Sequence, residues 1–483
     1  MANLQQLKKL RPLGKLEQVS ACCHHLGFFN NVGLSAHYNL SGPSSPAGFN
    51  LRHVIYAAIR DVIRKHRILF AIPVNEDSPD TYFASLPFID LDRSIHFAKR
   101  SQPLPRNGED KDEELDTILQ EQHNTNFRSD YGTLPFWRLI ILQTPEVETE
   151  FTACFVYHHA IGDGVSGVVF HDEFRKALDA ACSTSALQYN IEERVMPDEN
   201  VQVLPPVEEL HPLPVIPTPP APGAANLKEW TGKSIHTPCR SRWTSLYVSA
   251  HASRAFFAEC KAKGLSVTPA LSSIIASVLF RTLPQTEEAL TCIIPISLRP
   301  WLSTPREAAN AAIGTYFDAT RVKLTKPDQN TQDVGSTDIW PGASQVSKAM
   351  KDYLCNVSPS GEPYTAIAVL KGIPDFSVIC GAMLGQPRDA AFEVTNVGQI
   401  PAPASPQGGD DHIWQVGKVL LSRSALVSGA AITVSVATGG NGSMAIGFSW
   451  QEGVLENGIL DNVINGVNQY FEKYKQGTEG KDA

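Results

Sequence analysis

Between residues 197 and 222 the chain carries nine prolines, closing on PLPVIPTPPAPGAAN. Proline lacks an amide hydrogen and fixes φ, so neither a helix interior nor a central strand can run through this stretch. It is expected to cross the surface as an extended connector. A chain of 483 residues is also too long for one compact core. The proline run therefore predicts two halves, 1–195 and 236–483, joined by a crossover over 196–235. A proline-rich recognition ligand is the other reading of such a run, but folded sequence on both sides speaks against it.

Each half reads as mixed α/β. In the first, Leu51, Val54, Ile55, Ala58, Ile59, Val62 and Ile63 recur at helical spacing, and a weaker pattern runs through Leu115, Ile118 and Leu119. Short apolar runs at 68–74, 136–142 and 151–157 predict strands. In the second, strands are expected at 245–249, 292–296, 432–437 and 445–450. Helices are expected at 253–262, from Thr268 with Pro269 in its first turn, and over 455–475.

Composition removes several classes of function. Apolar residues make up 42% of the chain, which is enough for a sizeable core, and the net charge of −9 gives no electrostatic pull toward nucleic acid. The nine cysteines include no CxxC pair, so zinc or thioredoxin-like chemistry has no support, and a disulfide framework is not expected. No window approaches 18 apolar residues, and the polar start MANLQQLKKL is not a signal peptide. These features predict a cytoplasmic protein without a transmembrane segment, leaving open attachment to a membrane surface through a short terminal helix.

The most informative stretch is Tyr157-His158-His159-Ala160-Ile161-Gly162-Asp163-Gly164. It follows the apolar strand FTACFVY and precedes an amphipathic helix through Val165, Val168, Val169, Phe174, Ala177 and Leu178. A histidine at the end of a buried strand is held rigidly, and its near-neutral pKa suits it to take up and return a proton. Of the fourteen histidines, only His159 has an aspartate four residues on. Gly162 and Gly164 are expected to supply backbone angles for the turn. The plainer reading is a core histidine followed by a helix-capping aspartate. A serine hydrolase is disfavoured because no G-x-S-x-G elbow occurs; Ser166 sits in GVSG.

HHAIGDG resembles the HHxxxDG motif of acyltransferases of the chloramphenicol acetyltransferase type, which include plant BAHD enzymes and peptide-synthetase condensation domains. Within that superfamily the chain is most similar to fungal alcohol O-acetyltransferases. The similarity is carried by RPLGKLEQ and HHLGFFNNVGLSAHY near the start and LPFWRL at 134–139. It continues through PISLRPWL at 295–302, IGTYF at 313–317, FEVTNVG at 392–398 and FSWQEG at 448–453. The plant branch's DFGWG is absent.

The resemblance implies two subdomains of mixed sheets with flanking helices, meeting at a channel with the histidine at its middle. It implies His159 as general base in moving an acyl group, acetyl in the first instance, from coenzyme A to a small-molecule alcohol in secondary metabolism. Acetyl-CoA or another acyl-CoA would be a co-substrate, with no metal and no permanently bound cofactor, and a monomer would suffice. Asp163 would be structural and paired with Arg299 of the other half, with His158 and Gly164 as support. Asn396 would contact the reacting carbonyl, and Tyr316, Thr395 and Ser424 would line the channel. The same fold and histidine would also serve a carrier-bound donor, an amine acceptor or an intramolecular condensation; a binding protein without turnover fits the intact motif poorly.

Overall fold

The computed structural model describes residues 4–41, 48–105, 111–145, 147–182, 192–216, 227–326, 338–400 and 413–475. The first half's strands in the two large sheets are β1 (Val32–Ser41), β2 (Ile95–Lys99), β3 (Trp137–Gln143) and β4 (Glu150–Tyr157). Its helices are α1 (Lys15–His25), α2 (Leu51–Lys65), α3 (Glu113–His123) and α4 (Gly164–Ala181). The second half supplies β5 (Ser241–Val248), β6 (Ala289–Ser297), β7 (Phe317–Thr325), β8 (Phe392–Gln399), β9 (Ile413–Arg423), β10 (Ile432–Thr438) and β11 (Met444–Gln451). Around them lie α5 (Ala250–Ala262), α6 (Val267–Thr282), α7 (Trp340–Cys355) and α8 (Ile459–Glu472).

Two mixed sheets carry the architecture. One has the order β9-β1-β4-β3-β2 and the other β5-β11-β10-β8-β6-β7. Parallel pairs, β2 with β3 and β8 with both β6 and β10, sit among antiparallel ones. Each sheet has its own apolar core, one through Leu34, Phe155 and Phe174 and one through Phe256, Ile274 and Phe392. The α/β class and the paired mixed sheets expected from the sequence are what the fold contains.

Among the described strands of the two large sheets, one crosses from the second half of the chain into the first sheet. β9 comes from the second half, yet it pairs antiparallel with β1, Leu421 facing Leu34 and Arg423 facing Val32. The first sheet is thus completed by a strand from 372 positions further along at the Ser41–Ile413 end. A second tie runs through Asp116 on α3, whose carboxylate accepts from Trp243 Nε1 at 3.0 Å, Ser245 N at 2.9 Å and Ser245 Oγ at 2.7 Å on β5.

Two local expectations shift. The run at 68–74 divides into a 3-10 turn, Arg67–Phe70, and a strand, Ala71–Val74, because a short apolar run does not by itself separate helical from extended backbone. From Leu4 on, the described residues do not open with an amphipathic helix: after one 3-10 turn at Leu4–Gln6, Lys8–Pro12 is a strand paired with Tyr82–Ser85. The C-terminal α8 buries Val463, Val467 and Phe471 in the second core. Part of the proline-rich run, 217–226, lies outside the described residues; before it, Val207–Leu210 makes a single helical turn. Among the described residues no single helix is long and apolar enough to cross a membrane.

Candidate active site

β4 ends at Tyr157 and α4 begins at Gly164, so residues 158–163 form the link that carries His159. His158 N donates to Phe136 O at 2.9 Å, continuing the strand's pairing one residue further. Asp163 caps α4, its Oδ1 accepting from Ser166 N at 3.0 Å, and Tyr157 Oη donates to the Asp163 carbonyl at 2.6 Å. The two glycines act through their size. Neither has a positive φ. A Cβ on Gly162 would lie 2.9 Å from Ser166 Cβ and 3.1 Å from the Tyr157 ring, and one on Gly164 would lie 2.9 Å from Val397 Cγ1. Close approach, not backbone freedom, requires glycine here.

The second half clamps this link from the other side through residues 314–317. Asp163 N donates to Gly314 O at 3.2 Å, and Thr315 Oγ1 donates to the carbonyl of His159 at 2.8 Å. Tyr316 N donates to Asp163 Oδ2 at 3.0 Å, and the Phe317 ring stacks on the His159 imidazole at 5.3 Å and 11°. Arg299, just after β6, completes the clamp. Its Nη1 donates to Asp163 Oδ2 at 2.7 Å and its Nη2 to Oδ1 at 3.0 Å, with both side chains buried. Burial alone would raise the Asp163 pKa, but Arg299 and the donated hydrogen bonds outweigh it and hold the carboxyl below its usual value.

Hydrogen bonding settles the form of His159. Its Nδ1 lies 2.9 Å from the Gly162 carbonyl, which can only accept, so Nδ1 carries the proton. Nε2 is then the nitrogen with the free lone pair. Burial lowers the pKa of this imidazole, and the positive charge of Arg423 lowers it further, so the ring is neutral near pH 7.

His159 opens on a cavity of about 270 Å³ whose wall is drawn from both halves. Most of the wall is apolar, including Val19, Phe29, Val165, Ile293 and Phe317. Its polar members include Thr395, Asn396, Glu393 and Arg423. A register irregularity between Asn396 and Gln399, with Gly398 at φ 78°, marks the point where β8 leaves its ladder at the cavity. Asn396 Nδ2 donates to Thr268 Oγ1 at 3.2 Å and its Oδ1 accepts from Gly398 N at 2.9 Å, which leaves one Nδ2 hydrogen for another acceptor.

His158 faces away from this cavity, into a buried cluster with His24 and Glu76. Its Nδ1 accepts from Ala160 N at 3.0 Å, so Nε2 carries the hydrogen and lies 3.3 Å from Glu76 Oε1. His24 Nε2 accepts from Phe127 N at 3.0 Å, and its Nδ1–H donates to Glu76 at 3.0 Å. These three are a set of ligating side chains close enough to hold a metal ion. Backbone donors occupy the outer nitrogens, however, so the inner ones carry protons, and the donor set does not fit a cation.

Of the residues singled out in the sequence, His159, Asp163, Gly164, Thr395 and Asn396 meet at the cavity. Arg299 and His158 stand behind it. Tyr316 and Ser424 are not among the residues of the wall. Tyr316 is buried with its Oη donating to Pro205 O at 3.3 Å, and Ser424 Oγ accepts from Asn30 N at 2.9 Å and Asn31 N at 3.1 Å. The sequence reading missed Phe29, Phe317, Glu393 and Arg423. The first three lie inside HHLGFFNNVG, IGTYF and FEVTNVG, segments noted for kinship only; Arg423 had no signal.

A family model described as alcohol acetyltransferase matches residues 12–211. A probable alcohol acetyltransferase of Aspergillus fumigatus, crmB, is 60% identical over 462 residues, covering 96% of this chain and 99% of its own. FCK4 of Fusarium pseudograminearum, also named a probable alcohol acetyltransferase, is 23% identical over 96% of this chain and 94% of its own. Among solved structures, TRI3 trichothecene 15-O-acetyltransferase from Fusarium sporotrichioides matches with a TM-score of 0.68 at 12% identity, over 96% of this chain and 94% of that one. The condensation domain from Monacolin K polyketide synthase MokA matches with a TM-score of 0.56 at 12% identity, over 96% and 98%. At such identities the structural likeness speaks for the fold alone.

Proposed function

This chain belongs to the alcohol acetyltransferase family, and we propose that it transfers acetyl from acetyl-CoA to the hydroxyl of a small, largely apolar alcohol, with His159 as general base. The observation that carries this reading is the state of His159: Nδ1–H is tied to Gly162 O, and the unprotonated Nε2 belongs to a ring lining an apolar cavity.

An alcohol is too weak an acid to ionise freely near neutrality, so its proton must leave as its oxygen attacks the thioester carbonyl. Nε2 accepts that proton, and Gly162 O, already paired with Nδ1–H, stabilises the imidazolium. The tetrahedral oxyanion needs a donor fixed before reaction, and the remaining Nδ2 hydrogen of Asn396 is suited to it. Collapse expels the coenzyme thiolate, which takes the proton back from Nε2, leaving ester, thiol and neutral histidine. Asp163 and Arg299 act by position, holding the link that carries His159. Secondary metabolism is the setting in which such an acceptor is expected.

Purified protein and its His159→Ala variant should be incubated with acetyl-CoA and a panel of alcohols while free thiol and ester are followed. Alcohol-dependent thiol release should fall by about 10²- to 10⁴-fold in the variant. Release that persists unchanged would remove His159 as the base. Ester formed only from a carrier-bound acyl group would keep the base and replace the donor.

A further inference from the structure

One feature of the cavity wall is not used by the chemistry above. Arg423, the last residue of β9, and Glu393, on β8, form an ion pair whose side chains are 11% and 9% exposed, and both line the cavity. Arg423 Nη1 donates to Glu393 Oε1, and the same oxygen accepts from Thr395 Oγ1 at 2.7 Å. No described residue accepts from Arg423 Nη2 or donates to Glu393 Oε2, and neither atom is sealed from solvent. Nε of the guanidinium is sealed without a partner, and the group lies over the Phe29 ring at 5.2 Å. His159 lies against the same ring, at 5.6 Å. One donor and one acceptor are thus presented together, a single aromatic ring away from the imidazole, in a mostly apolar wall.

Resting on the acetyl transfer proposed above, we propose that the Arg423–Glu393 pair is a recognition subsite for a neutral amide group carried by the acceptor alcohol. The amide carbonyl accepts from Arg423 Nη2, and the amide N–H donates to Glu393 Oε2. Charge decides for a neutral group. Arg423 and Glu393 already neutralise one another, so a carboxylate would lie beside Glu393 and an ammonium beside Arg423, each repelled at short range in a poorly solvated site. A purely apolar alcohol would leave both free hydrogen-bonding atoms covered and unpaired, which is how such a site rejects it. Coenzyme A also carries amides in its pantetheine arm, so the acceptor and the donor have to be told apart.

Equilibrium binding by calorimetry reads the subsite without turnover. The probes are N-(2-hydroxyethyl)butanamide, 1-heptanol of the same chain length, and 4-hydroxybutanoate, with a carboxylate where the amide carbonyl stood. Wild type is expected to bind the amide about tenfold or more tightly than heptanol. Arg423→Met should bring the two within about twofold, while Glu393→Gln, which leaves the guanidinium unneutralised, should improve binding of 4-hydroxybutanoate over wild type. That gain is a readout a merely structural ion pair would not produce. Thermal midpoints check that the variants fold, and if Arg423→Met does not, the 4-hydroxybutanoate gain in Glu393→Gln carries the test. Equal binding of amide and heptanol by wild type, a preference unchanged in Arg423→Met, or no gain for 4-hydroxybutanoate in Glu393→Gln overturns the proposal. So does an unchanged preference with a raised KM for acetyl-CoA, which assigns the pair to the pantetheine amides. Failure of wild type to acetylate any alcohol would sink the reaction instead, leaving the binding result to be read by itself.

Discussion

Cutting the Asp163–Arg299 pair from either side should give unequal losses, because the two side chains leave different groups stranded. Removing one partner of a buried ion pair costs about 3–5 kcal/mol. In Arg299→Met the Asp163 carboxylate keeps three donors, Ser166 N, Ser166 Oγ and Tyr316 N, each at 3.0 Å. The loss should fall near the lower end of that range. In Asp163→Leu the guanidinium keeps only the carbonyls of Ala312 at 3.1 Å and Gly314 at 3.3 Å among its stronger contacts. Tyr316 N loses its acceptor as well, at about 1–3 kcal/mol for a buried group left unpaired, whereas Ser166 N keeps the Asp163 carbonyl at 3.0 Å. This variant should therefore exceed Arg299→Met by roughly 1–3 kcal/mol. The double variant should cost clearly less than the two losses together, since it strands no charge. Urea unfolding of all four proteins at one pH measures the differences. Acidification adds a second check: the depressed pKa of Asp163 contributes stability above the unfolded carboxyl value, lost as pH falls through the folded one, so the gap between wild type and Arg299→Met should narrow in acid. Single losses below about 1 kcal/mol, or strict additivity, would refute the reasoning.

The remaining expectations concern titration and packing. If neutral His159 is the base, the rate should fall as pH drops through a pKa below its ordinary value of about 6.5, and Arg423→Met should move that acid limb upward by removing a nearby positive charge; a limb above that value, or one the variant leaves in place, contradicts this. Burial pushes the Glu76 carboxyl up, but His158 and His24 outweigh it and bring it to about 2. Its contribution, on the order of 3 kcal/mol, should be present above about pH 4.5 and fade as pH falls through about 2, so the penalty of Glu76→Gln should shrink over that window in acid unfolding curves. Gly167→Ala would place a Cβ 2.8 Å from Leu34 Cβ and 3.1 Å from Tyr157 Oη, lifting α4 off β1. It should lower stability by roughly 1–2 kcal/mol despite alanine's better helix propensity, and a higher urea midpoint would show that the contact yields freely.

What the sequence made legible was local. A buried strand, a turn with two histidines and an amphipathic helix are each written in consecutive residues, so the element carrying His159 could be read directly. The Asp163–Arg299 pair was reached through kinship, and spacing alone would not have placed residues 136 apart in contact. Reading β9 needed still more. An apolar run at 413–423 suggests a strand but does not name its partner, and the choice of β1 over a neighbour in its own half depends on the assembled sheets. Arg423 inherits that limit, since it reaches the cavity only because β9 crosses over. The glycines of the turn failed differently: their presence was informative, but the cause lay in side chains from Tyr157, Ser166 and Val397 that a linear reading cannot bring near.

These same long-range contacts make the site a property of the junction. His159 hangs from β4 of one sheet, while the residues that fix its carbonyl, stack on its ring and pair with its aspartate come from 299–317 in the other half. β9 then carries chain from the second half back into the first sheet and ends at Arg423 on the cavity wall. A small slip between the halves would act on all of these contacts together, moving the imidazole, its clamp and the wall at once. Geometry this close to the reacting atoms is sensitive to displacements of about 1 Å, which can cost about 10²-fold in rate. Substitutions at the α3–β5 tie, such as Asp116→Asn, should therefore depress turnover before they unfold the chain, although no atom of that tie lines the cavity.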